Sequence, residues 1–261
     1  MSVYFPVLYG TAVSRRSADH DPDADAADPN ADTRGEPPFP TTRHVLEPGC
    51  DRCPALVEGR ECLSWGTGPL EAAIVVVGEA PGYGDPEADR WRGGNWTGKA
   101  YTSAHSGRRI RRLLERIGFG GDAYYTNAVK CFPADPSDPS SNREPTAEER
   151  RNCRSHLLAE LENVDPDVVL ATGKHATTTM LAAEGQDLEG FLDSVLESMW
   201  CDRLGVDLVP ILHPSYQDVW IGRLGYEPET YREEIRTTIA GCLDDGDVSE
   251  EQVDGYRGDG E

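Results

Sequence analysis

The run Ile74-Val75-Val76-Val77, followed at once by Gly78-Glu79-Ala80-Pro81-Gly82, constrains the fold of this chain more than any other stretch. Four consecutive β-branched residues fit a strand buried on both faces, and the glycines around Pro81 turn the chain sharply where that strand ends. In an open parallel sheet, ligands bind just beyond the carboxyl ends of the strands, so Glu79 is placed for chemistry. A solvated turn acid is the competing explanation.

Three later segments repeat the pattern. Ala123 to Val129, Asp167 to Ala171 and Leu208 to Leu212 are further predicted strands. Between them lie helical signals. Ile110, Leu113, Leu114 and Ile117 recur at i, i+3, i+4 and i+7 behind a capping Ser106. Thr146 and Glu149 form a capping box for a helix carrying Cys153. Gly173 turns into a helix over Ala176 to Leu181, and Tyr231, Ile235 and Ile239 mark a final one. Strands alternating with helices predict an α/β fold, a three-layer α/β/α sandwich around a central, mostly parallel sheet. The Pro, Asp and Ser-rich stretch from Pro133 to Pro139 is expected to be a loop.

An apolar fraction of 38% over 261 residues suffices for one sizeable core and excludes a membrane protein. The opening Met-Ser-Val-Tyr-Phe-Pro lacks the features of a secretory signal, so a cytoplasmic monomer is expected. Composition divides the chain into a disordered acidic arm over 1–44, a domain over 45–240 and an acidic tail over 241–261. The formal charge is −22 and the only lysines are Lys99, Lys130 and Lys174, a composition resembling that of proteins from salt-accumulating archaea. Such a surface repels polyanions at low ionic strength. At ~1 M salt the Debye length shrinks to about 3 Å and the objection weakens. The cluster Arg108, Arg109, Arg111, Arg112 and Arg116 is either a solvated helix face or a phosphate contact.

Seven cysteines in a reducing compartment argue for a bound metal or cluster before a disulfide framework. Cys50-x2-Cys53 is open to four explanations: redox dithiol, zinc half-site, iron-sulfur half-site or coincidence. With Cys131 and Cys153, four thiols are available from three places. Gly93-x4-Gly98-Lys99 is nearly a phosphate-binding loop, but Ala100 stands where a magnesium-binding Ser or Thr is needed. Trp96 is therefore free for an open loop site, or is simply a core aromatic. Asn127, at the end of the second strand, presents donor and acceptor together and can match an amide-like edge.

Gly78-Glu-Ala-Pro-Gly82, Trp96-Thr-Gly98, Tyr125-Thr-Asn127 with Lys130-Cys131, Asn142-Arg143-x-Pro145 and His213-Pro-Ser215 occur in one order. That ordered set resembles the iron-sulfur uracil-DNA glycosylases, and Glu79 resembles the family 4 branch rather than family 5. The resemblance spans about residues 45 to 240. It implies a [4Fe-4S] cluster on Cys50, Cys53, Cys131 and Cys153, with zinc as the alternative. It also implies catalytic Glu79 and His213, and substrate contacts from Gly78, Trp96, Asn127 and Ser215, with Trp96 stacking on uracil. The partner would be uracil-containing DNA, single- or double-stranded, and the reaction hydrolysis of the N-glycosidic bond. Residues 216–224 resemble the loop that enters the duplex, with Ile221 or Leu224 as wedges. Cys62, Cys201 and Cys242 are expected to be packing residues. A catalytically silent DNA-binding protein of the same fold and an unrelated iron-sulfur redox protein are the other two functions that fit.

Overall fold

A computed structural model describes residues 36–253. The run of β-branched residues is strand β1 (Ile74–Gly78), buried along its whole length. It pairs in parallel with β2 (Ala123–Asn127) on one side and β5 (Val168–Thr172) on the other. β7 (Val206–Ile211) continues the parallel set beside β5. The short β6 (Met199–Cys201) closes the edge antiparallel to β7, giving the order β2-β1-β5-β7-β6. Helices cover both faces, as the alternation predicts.

One face packs Ile74, Val76, Leu170, Val209 and Ile211 against α3 (Ser106–Arg116) and the long α8 (Pro228–Val253). The other packs Val75, Val77, Val169 and Leu208 against α4 (Ala147–Val164) and α5 (Lys174–Glu184). Alternate side chains of a strand point to opposite faces, so burial of every residue in β1 requires this double cover.

Several local expectations shift. The capping box is present, with Glu149 N donating to Thr146 Oγ1 at 3.1 Å and Thr146 N to Glu149 at 2.7 Å. At α3 the capping oxygen belongs to Ser103, which accepts from Gly107 N at 3.2 Å and bonds Ser106 through the hydroxyls. The 133–139 stretch forms a small hairpin, β3 (Ala134–Asp135) with β4 (Asp138–Asn142), fully exposed along β4. Residues 36–44, assigned by composition to the arm, pack on the domain: Phe39 meets Trp91 edge-on, and His44 pairs with Gly66. The remainder of the arm and the end of the tail lie outside the described residues. α8 carries the chain on through Cys242, which is buried in the core, to Val253.

Candidate active site and thiolate centre

A cavity of about 1210 Å³ opens at the carboxyl ends of the parallel strands, and Glu79, Thr172, His213 and Ser215 all line it. Glu79 follows β1 directly. Burial raises its pKa above the usual carboxylate range, opposed by the nearby charge of His175 and reinforced by Glu144. Both neighbours line the same cavity, and His175 Nε2 lies 3.1 Å from Glu144 Oε1.

His213 follows β7. Ser215 N donates to its Nδ1 at 3.2 Å, so Nδ1 accepts and the ring proton resides on Nε2. Burial pushes its pKa down to about 4. The side chain is thus a neutral imidazole with its one N–H fixed, a hydrogen-bond donor at any pH above the acid range. Gly173 backs it with φ of +88°, and a Cβ there would stand 3.2 Å from His213 Cβ.

Asn127 ends β2 in register with Gly78 and is almost fully buried. A Cβ on Gly78 would fall 2.4 Å from Asn127 Oδ1 and 2.6 Å from the Tyr101 hydroxyl. Glycine is the residue that fits. Tyr101, which the sequence did not single out, therefore stands beside Asn127. Its hydroxyl shares a 2.5 Å hydrogen bond with Thr172 Oγ1, and its backbone is held at φ of +52°. That left-handed conformation is uncommon for a tyrosine and is sustained only where surrounding contacts over-determine it.

Trp96 is placed differently from expectation. It sits in the one-turn helix α2 (Gly94–Thr97), donates Nε1–H to Tyr83 O at 2.7 Å and packs edge-on against the Tyr83 ring. The aromatic residues that line the cavity are Tyr83, Trp91, Phe191, Tyr216 and Trp220, and Trp96 is not among them.

The cysteines expected as ligands converge. Cys50, Cys131 and Cys153 are buried together, with Cys53 packed against them from the start of α1 (Pro54–Gly59). Three N–H groups point at their sulfurs: Arg60 Nη1 to Cys131 at 2.9 Å, Lys130 N to Cys153 at 3.2 Å, and Asn152 Nδ2 to Cys53 at 3.4 Å. Burial raises the pKa of the Cys131 thiol and pushes that of Cys153 up to about 12. Two thiolates on one tetrahedral zinc lie about 3.8 Å apart, given Zn–S bonds of about 2.3 Å. Among the described residues, the set of donors all lying within 4.8 Å of one another is Glu47, Cys50 and His156, so the four sulfurs are spread more widely than one zinc requires. Cys62, Cys201 and Cys242 lie elsewhere, with Cys201 and Cys242 in the two main cores.

A model of the uracil DNA glycosylase superfamily matches residues 65–234. The chain belongs to that superfamily. It is 32% identical to a type-5 uracil-DNA glycosylase of Pyrobaculum aerophilum, over 74% of this chain and 90% of the relative. It is also 32% identical to a type-4 uracil-DNA glycosylase of Thermotoga maritima, over 64% of this chain and 77% of the relative. A type-4 enzyme of Pyrobaculum aerophilum is 30% identical, over 66% and 81%.

Within this superfamily member, the segment after His213 forms α7 (Gln217–Trp220) and a short 3-10 turn over Gly222–Leu224. Neither expected wedge points outward: Ile221 is buried in the core and Leu224 packs against it. The exposed apolar groups of the segment are Tyr216 and Val219, 61% and 58% exposed. The arginines of α3 are likewise engaged. Arg111 is buried, bonded to Thr67 and Tyr101 O and stacked 3.9 Å from the Tyr125 ring centroid. Arg109 pairs with Asp218 at 2.9 Å and so braces the His213 segment.

Proposed function

We propose that this protein is a monofunctional uracil-DNA glycosylase of the type-4 kind, which hydrolyses the N-glycosidic bond of deoxyuridine in DNA and leaves an abasic site. The observation that carries the proposal is His213, a neutral donor of fixed tautomer sharing one cavity with Glu79. An enzyme acting on a base must take it out of the stack, and glycosylases are a standard example of this requirement. In the cavity, Glu79 as carboxylate accepts a proton from water as that water attacks the anomeric carbon of the sugar. The C–N bond breaks, its electron pair leaves with the base, and His213 Nε2–H meets the negative charge that develops on a uracil oxygen. Asn127 would bond the amide-like edge. The ring stacked on the base is assigned to Tyr83 rather than Trp96, because Tyr83 stands on the cavity wall. Glu79 in the first motif favours the type-4 kind.

Free uracil should be released from single-stranded DNA, with strand breaks appearing only after alkali. Lys174 lines the same cavity, so strand cleavage before alkali would mean that it forms an imine and the monofunctional assignment is wrong. No release from folded, metal-loaded protein at any salt would leave a silent DNA-binding member of the superfamily.

The four thiolates would hold a [4Fe-4S] cluster on Cys50, Cys53, Cys131 and Cys153, supported by their burial, their spread and their N–H donors. The cluster would clamp the N-terminal segment to α4 and the end of β2, and no catalytic step depends on it. Protein purified without oxygen should be brown, with a broad visible absorption that bleaches on reduction. A colourless preparation with one zinc coordinated by all four cysteines would refute the cluster.

The charge of −22 favours work in concentrated salt, where carboxylate repulsion is screened. Thermal stability and uracil release should both rise from ~0.1 to ~1 M potassium chloride, a range over which the Debye length falls from about 10 to about 3 Å. Best performance at the lowest salt would contradict this.

A further inference from the structure

Beside the four sulfurs, Glu47, Cys50 and His156 bring a carboxylate, a thiol and an imidazole together, their donor atoms all within 4.8 Å of one another. His156, on α4, is 5% exposed and lies edge-on to Trp65. Its Nε2 is buried without a hydrogen-bond partner and lies 3.6 Å from Glu47 Oε2. A buried ring nitrogen with no partner costs stability unless something fills the gap. We propose that Glu47, Cys50 and His156 form a second, mononuclear site for zinc or a similar divalent ion, sharing Cys50 with the four-thiolate centre.

The spacing suits one ion. Nitrogen and oxygen ligands at about 2.0–2.1 Å from a tetrahedral zinc lie about 3.4 Å apart, close to the separation of the imidazole and carboxylate here. Sulfur, nitrogen and oxygen donors together suit zinc better than magnesium or calcium, which take oxygen alone. Binding converts the Cys50 thiol to thiolate and releases its proton. Arg52 Nη2 donates to this same Glu47 Oε2 at 2.6 Å, so the ion would take that oxygen's remaining lone pair, and water the fourth position. Because Cys50 serves either centre but not both, zinc would occupy the trio only after the cluster is lost. The sharing rests on the cluster proposed above; the trio itself does not.

The test uses full-length protein made with iron withheld and stripped by a chelator, with circular dichroism verifying the fold. Cobalt, then zinc, is titrated in. One equivalent should bind, with a thiolate-to-cobalt absorption of one thiolate's intensity. Cys50→Ser and Glu47→Gln should each weaken binding by roughly tenfold or more, while Cys153→Ser leaves it unchanged. Glu47 is partly exposed, so its variant does not threaten the fold. Equal weakening by Cys153→Ser would show that the four thiolates take the ion, and no binding by the folded chain would end the proposal. If the stripped chain does not stay folded, iron-loaded protein is oxidised in the presence of zinc. Wild type should then retain one zinc and Glu47→Gln roughly a tenth of that; equal retention overturns the proposal. Zinc uptake by the iron-loaded protein without loss of colour would refute the sharing of Cys50, whatever the fate of the cluster assignment.

Discussion

Replacing His213 with alanine is expected to lower the single-turnover rate of uracil release by roughly 100-fold or more, the scale of one lost oxyanion donor, with DNA affinity almost unchanged. The charge it meets exists fully only near the transition state, so the loss falls on rate. An equal loss in affinity and rate would assign His213 a positioning role. The pH profile separates it from Glu79. His213 is held down to about 4 and stays neutral through the working range, so it contributes no limb above the acid region. Glu79 must be ionised and its pKa is raised, so the rate should climb with pH through a single limb above the usual carboxylate range, then level off. Glu79→Gln should abolish that limb. For stability the sign is the same: a histidine with depressed pKa contributes fully above about 6.5, and that contribution is lost as pH falls toward about 4.

Lys130→Met should be the most destabilising single change described here. Lys130 is wholly buried, its ammonium bonded to Glu160 at 2.6 Å, Thr126 Oγ1 at 2.7 Å and Asn127 O at 2.6 Å. Removing it strands the Glu160 charge in the core, at about 3–5 kcal/mol. For a domain of this size that is a fall in Tm on the order of 10 °C. Glu160 also accepts from Gly66 N at 3.0 Å, so the compensating change is Glu160→Gln, which removes the charge and keeps that acceptor. The double variant should recover more than half of the loss in a thermal melt. No recovery would mean that Lys130 acts through shape rather than charge. The ammonium also holds Asn127 O, so the single variant should loosen Asn127, whereas the backbone N–H of residue 130 that donates to Cys153 Sγ is kept.

How much of this was legible in the sequence depended on whether the signal was periodic. Ile74 to Val77 announced β1 because a strand buried on both faces admits only apolar residues, and Thr146 with Glu149 announced α4 through a local hydrogen-bond pair. The placement of Glu79 and His213 at strand ends was legible because each follows an apolar strand within two residues. The hairpin over Asp138–Asn142 was hidden because its residues are polar and exposed, so neither face carries an apolar alternation. Tyr101 was hidden for another reason: a left-handed backbone angle turns it toward Asn127, and no composition rule foretells which of several loop aromatics turns inward. Trp96 was the conspicuous aromatic and is bonded to Tyr83 instead. Ile221 and Leu224 look like free apolar residues until the core that buries the one and packs the other is known.

The order of strands in space, β2-β1-β5-β7, sets a timetable for a chain emerging from the ribosome. β1 and β2 can pair first, and β5 and then β7 add to the growing edge in the order they are synthesised. All four clustered cysteines and the Glu79 and Asn127 side chains are made before β5 is complete, whereas His213 follows β7. A nascent chain stalled anywhere in between would own the clustered cysteines and Glu79 but lack His213, the donor proposed to meet the charge of the departing base.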